Sequence, residues 1–256
     1  MLNEKRTKVT YPIRNSSGEL LDDDAVKCEE FRSLYQEIYS PPQPIPGYDI
    51  YADKASELYE KIKTDFGNIE KRPENDQIRP NVTAERIRMI LKKVKNTSPG
   101  EDSISYAHIK HLPDSALSYI AEIFNACISC CYFPDAWKEG AVTLLPKANK
   151  PRDDTRNYRP ITMLNALGKT FERIIDYDIN TYLETNDIIP ECQSGYRSHR
   201  STQDQLLHLV QDASQAILNN EITIATMFDF EKAYDQVWHE GLILKLEQVG
   251  FNKLSI

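Results

Sequence analysis

A chain of 256 residues is long enough for one large domain or two small ones around a sizeable core. Its 40% hydrophobic content and mean hydropathy of -0.55 predict a globular body with polar, loosely packed stretches. Five cysteines, unevenly placed at 28, 127, 130, 131 and 192, exclude a disulfide framework; no apolar run of about 18 residues offers a membrane span, and Met1–Arg6 lacks the apolar run of a secretory signal.

A reduced, intracellular setting is therefore expected. The net charge of -8 argues weakly against a nucleic-acid partner, but its distribution is uneven. Residues 138–173 hold eight Lys/Arg against four Asp/Glu, and 84–95 hold five against one, while the first eighty are acidic. Two basic stretches on an acidic chain fit either a local phosphate-binding surface or ordinary solvated faces.

In chain order, residues 1–80 read as a linker-like extension with embedded helices. Phe31, Leu34 and Ile38 recur at helical spacing within 20–39. The proline run Pro41–Pro46 then breaks any regular element, a second helix spans about 53–64, and a polar run closes the segment at Pro80. Order is expected from about 81. Thr83 is a candidate N-cap for a helix carrying Ile87, Ile90, Leu91 and Val94, ended by Asn96-Thr97-Ser98-Pro99-Gly100. Another helix, about 114–131, places Leu117, Ile120, Phe124 and Ile128 on one face. Val142–Leu145 is a short strand stopped by Pro146. Two long amphipathic helices follow at 165–184 and 202–218. Ile222–Phe230 is the strongest strand pattern, with a helix expected from about Glu231. The order is helix-rich with isolated strands, which predicts an α+β fold.

The strand-like run Ile222–Phe230 delivers Asp229 to its end. A carboxylate there suits a divalent ion, because a strand is rigid and the Phe230 carbonyl adds a second oxygen. The same Asp could equally be a helix N-cap. Upstream, Gly195 in Gln193-Ser194-Gly195-Tyr196-Arg197 would let backbone approach a phosphate, with Tyr196 or Arg197 stacking on a base, or the segment is simply a loop. His108, His111, Cys127 and Cys130 could be drawn as a zinc site, but Cys127 and Cys131 lie one turn apart beside Phe124 on an apolar face. Buried thiols are the expected outcome.

Met227 through His239 resembles motif A of non-LTR retrotransposon reverse transcriptases, roughly D-x-x-K-A-[FY]-D-x-V-x-H, and is similar in particular to the jockey-like clades. Further blocks follow the family's order. Ser98-Pro99-Gly100-Glu101-Asp102 is similar to the block before the fingers, Trp137–Lys147 to motif 1, Asn157–Leu164 to motif 2, and Gln193–Asp204 to the block before motif A. The resemblance covers about 82–250.

It implies the fingers and an incomplete palm of a right-hand polymerase over 81–256. It also implies RNA-directed DNA polymerase chemistry on an RNA template, a DNA primer and dNTPs, with Mg²⁺ as cofactor and nuclear residence by family analogy. Asp229 would be the first catalytic aspartate and, with Phe230, a metal ligand. Tyr234 would be the gate against a ribose 2′-OH. Lys147, Arg159, Gly195 and Arg197 would contact substrate. The family's [FY]-x-D-D block is not found in this sequence. Glu231, Asp235, Glu240 and Glu247 are the carboxylates after Asp229, and neither Asp53 nor Asp153-Asp154 sits in a suitable place. The expectation is a fragment that is inactive by itself. The alternative is a non-enzymatic RNA-binding or protein-interaction module reusing the same surface.

Overall fold

The computed structural model describes residues 11–15, 17–40, 49–66, 81–230 and 232–251. The proline run, the polar run before Pro80 and Glu231 lie outside them. The chain forms two compact units, one from residues up to Asp176 together with those from Tyr234 onward, the other Tyr177–Ala233.

The core of the first unit is helical. Thr83 caps α3 (Ala84–Lys93), its hydroxyl accepting from the Arg86 amide, and Ile87, Ile90 and Leu91 are buried as their spacing requires. α3 packs on α5 (Asp114–Ser129), which contributes Leu117, Ala121, Phe124, Cys127 and Ile128. The Asn125 amide joins the two ends, donating to the Val82 carbonyl (2.8 Å) and accepting from the Val82 amide (2.9 Å). A short α4 (Tyr106–Lys110) and α6 (Asp135–Lys138) lie on either side of α5 in sequence. Phe124, Phe133, Trp137 and Phe171 form an aromatic knot with ring centroids 5.0–5.8 Å apart. Each such ring contributes about 1.5–3 kcal/mol when fully buried.

A long hairpin leaves this core. β3 (Gly140–Pro146) pairs antiparallel with β4 (Tyr158–Leu164), from Gly140 opposite Leu164 to Pro146 opposite Tyr158. The periodicity pointed to β3 alone; Pro160 hid β4. In a two-stranded sheet every strand is an edge, so a proline costs little. α7 (Ala166–Thr185) follows, burying Phe171 and Ile174.

The N-terminal stretch is part of this unit rather than a plain linker. β1 (Ile13–Arg14) and β2 (Leu20–Leu21) form a small hairpin, with Ile13 1% exposed. α1 (Asp24–Ile38), capped by the Asp23 carboxylate, sets Phe31 edge-on against Tyr158, centroids 5.1 Å apart. α2 (Asp49–Phe66) packs along the last helix, here numbered α9 (His239–Gln248), through Ala55, Leu58 and Ile62.

The second unit holds the end of α7, α8 (Thr202–Leu218) and the run after it. Ser201 and Asp204 close a reciprocal capping box at the start of α8. The helix forms where its pattern predicted, yet its apolar face is open: Leu206, Leu207, Val210 and Ile217 are all exposed. The strand expected at Ile222–Phe230 does not form among the described residues, and Ile222, Ile224, Phe228 and Phe230 are each more than 80% exposed. Strand propensity stabilises little without a hydrogen-bonded neighbour, and no described residue supplies one. The helix expected from about Glu231 begins instead at His239, after turns over 232–236.

Candidate functional site

The β3–β4 hairpin carries the two basic candidates of the first unit. Arg159 is exposed on β4, in register with Leu145. Lys147 sits where the strands end and is half-buried. Its amide donates to the Asn157 carbonyl (2.7 Å) and its ammonium to the Arg156 carbonyl (2.8 Å), so Lys147 closes the loop while keeping two further N–H donors. Asp154 starts a 3₁₀ turn (Thr155–Asn157) by accepting from the Arg156 amide.

Behind the hairpin, Cys28, Phe31, Tyr35 and Tyr39 of α1 face Val142, Leu144, Pro160 and Thr162 across a groove of about 620 Å³. Burial pushes the Tyr35 phenol up to about 12, helped by Tyr39 and Asp235. Asp235 is close enough to act on the Tyr35 phenol, and the N-cap of α9 is Trp238. Tyr234, 72% exposed, opens this part of the first unit.

In the second unit Asp229 and Phe230 lie on the extended, exposed run. Among the described residues no group of three or more His, Cys, Asp or Glu stands close enough to hold a metal ion. A hard divalent cation takes about six oxygens or more, and Asp229 with one backbone carbonyl falls well short of that set. The residues present do not by themselves fit the magnesium pair that the resemblance implies. The four zinc candidates His108, His111, Cys127 and Cys130 likewise form no such group among the described residues. His108 Nδ1 accepts from the Ser105 amide (3.0 Å), and Cys127 is buried, with burial pushing its thiol up.

Two loop candidates read differently in three dimensions. Arg197 forks onto Glu184, with Nε–Oε1 2.8 Å and Nη2–Oε2 2.6 Å, and its third nitrogen donates to the Pro190 carbonyl (2.9 Å). These bonds hold the Glu184 carboxyl below the usual range. A guanidinium bonded through all three nitrogens clamps the 186–200 loop, which is the role its described contacts give it. At Gly195 an added Cβ would meet nothing within 4 Å, so no other part of the described chain crowds the backbone there.

Residues 145–256 match the family model described as reverse transcriptase (RNA-dependent DNA polymerase). Over that span the chain belongs to the reverse transcriptase family. The family implies a right-hand polymerase fold, with which the mixed helix and strand content agrees. Among curated relatives, the chain is 31% identical over 245 residues to the probable RNA-directed DNA polymerase from transposon X-element of Drosophila melanogaster, covering 96% of this chain and 26% of the relative. It is 36% identical over 169 residues to the RNA-directed DNA polymerase from mobile element jockey of the same organism, covering 66% and 18%. The polymerase from transposon BS gives 35% over 168 residues, 64% and 18%. The chain thus spans about a quarter or less of these reverse transcriptases. The X-element similarity reaches well upstream of residue 82, where the recognisable motifs begin. No described helix is long and apolar enough to cross a membrane.

The bond between Arg14 and the β3–β4 loop has no counterpart in the sequence pattern. The Arg14 amide donates to the Asp153 carbonyl (2.6 Å) and Nε to the Asp153 carboxylate (2.8 Å), 139 residues away. No local pattern could have signalled it.

Proposed function

We propose that this chain is the fingers and the start of the palm of a non-LTR retrotransposon reverse transcriptase. In the completed enzyme it contributes to template-directed dNTP addition at a primer 3′-OH. The observation that carries the reading is the reverse transcriptase match over 145–256, which includes Asp229-Phe230-Glu231-Lys232-Ala233-Tyr234-Asp235. Within it, Asp229 and the Phe230 carbonyl are the proposed share of a Mg²⁺ site that needs further carboxylates. Tyr234 is the proposed gate against ribonucleotides. Arg159, exposed on the hairpin, is the proposed contact to template or triphosphate, with Lys147 held beside it as the loop's closing residue. Nuclear residence follows from copying into chromosomal DNA.

The chain by itself is proposed not to polymerise. Primer extension on an RNA template with dNTPs and Mg²⁺ tests this: no incorporation is expected from the 256-residue chain, and clear incorporation overturns it. Joined to the remainder of a related polymerase, the chain is expected to support extension that Asp229→Ala abolishes. Extension indifferent to Asp229 would overturn the assignment of the aspartate. The exposed basic hairpin also favours a second reading, an RNA-binding module without chemistry, which predicts salt-sensitive RNA affinity from this chain.

A further inference from the structure

The loop between β3 and β4 reads in sequence as mixed charge, with Lys147, Lys150, Arg152 and Arg156 alternating with Asp153 and Asp154. The structure sorts these charges. Asp153 is held by the Arg14 guanidinium and by the Arg14 amide on its carbonyl. Asp154 is turned onto the Arg156 amide (2.9 Å) and the Asn157 side chain (3.4 Å). Lys147 donates one of its N–H groups to the Arg156 carbonyl. The Arg152 guanidinium lies 4.4 Å over the Tyr11 ring, and the Tyr158 hydroxyl donates to the Arg152 carbonyl (2.6 Å). Lys150, Arg156 and, on the adjoining strand, Arg159 are exposed and enter no ion pair among the described residues. Both loop carboxylates are therefore engaged, while three cations face solvent.

We propose that Arg14 converts this loop into a contact surface for the phosphodiester backbone of a single RNA strand, by fixing the loop and cancelling the Asp153 charge so that Lys150 and Arg156 meet phosphate. The proposal deepens the polymerase reading and rests on it for the choice of RNA. Arg14 is a positioning residue, and Lys150 and Arg156 are the groups that touch the strand. The physical requirement is electrostatic. A strand of phosphates is repelled by an unpaired carboxylate between two cations, and attracted once that carboxylate is neutralised from behind.

Fluorescence anisotropy of the full chain with a short labelled single-stranded RNA, titrated at several NaCl concentrations, tests the proposal. Lys150→Ala with Arg156→Ala is expected to weaken binding and to lower the log–log salt slope by about 1.4, roughly 0.7 for each phosphate left without its cation. Arg14→Ala is expected to weaken binding by roughly two- to fivefold, the scale of one surface charge. Adding Asp153→Asn to Arg14→Ala is expected to restore it. Asp153→Asn alone, which removes no positive charge, is expected to tighten binding and carries the test should Arg14→Ala fail to fold. The proposal is overturned if the double lysine–arginine variant binds as the parent does, if Asp153→Asn weakens binding, or if it fails to rescue Arg14→Ala. A parent chain without salt-dependent RNA affinity overturns this surface too, whereas the polymerase reading stands or falls separately on Asp229-dependent extension.

Discussion

At Gly100 a missing methyl group decides how the hairpin joins the core. A Cβ there would lie 2.8 Å from the Asn165 amide nitrogen and 2.9 Å from the Leu164 carbonyl carbon, and backbone cannot swing aside as a side-chain tip can. Asn165 in turn accepts from the Gly168 amide (2.6 Å) and donates to the Ala136 carbonyl (3.1 Å), so the corner between β4 and α7 is fixed on three sides. Gly100→Ala is expected to destabilise the first unit by about 1–3 kcal/mol, the usual cost of overpacking, read as a lowered thermal midpoint. An unchanged midpoint would show that the corner yields freely. From the sequence, Gly100 is only a helix-ending turn residue; the backbone it meets is far along the chain. Arg197 teaches the complementary lesson. Its residue type suits phosphate, and fold geometry turns three of its N–H donors onto Glu184 and the Pro190 carbonyl.

At the scale of elements, the helices follow their local signals closely because a cap and an apolar stripe are both short-range. Thr83, Asp23 and Ser201 each cap the helix that begins beside them. The 186–200 loop is different, since it is held by a link from Arg197 back to Glu184 on α7. That link depresses the Glu184 pKa in the folded chain relative to about 4.3 when unfolded. A depressed carboxylate contributes stability that is present above the unfolded value and is lost as pH falls through the folded one. Acidification is therefore expected to release the loop, seen as loss of the slowly exchanging Arg197 Nε–H signal, whereas Glu184→Gln loses that signal already at neutral pH. A signal that survives throughout the acid range, or that persists in Glu184→Gln, would contradict the clamp.

For the molecule as a whole, the N-terminal stretch matters most. Composition and prolines suggest a tether, yet Ile13 is buried, Phe31 packs on Tyr158, and Arg14 grips Asp153 within the same compact unit as the α3–α5 core. Removing residues 1–40 is expected to lower the thermal midpoint of the chain by roughly 6–24 °C, from the loss of two buried apolar side chains at about 1.5–3 kcal/mol each and about 2–4 °C per kcal/mol in a chain of this size. A bare linker would leave it unchanged.

Short-range patterns in the sequence already specify most of the long helices, the Thr83 N-cap, β3 and the family matched over 145–256. Each of those rests on residues close together in the chain or on ordered short motifs. Only the tertiary structure decided the rest. It showed that β4 tolerates Pro160 at an edge, that Ile222–Phe230 has strand propensity but no described partner, and that α8 carries an open apolar face. It also showed that Arg197 and Lys147 are engaged while Lys150, Arg156 and Arg159 face solvent. The physical reason is common to all of them. Whether a strand pairs or a cation is engaged depends on a partner brought near by folding, and that partner's sequence distance carries no local signature.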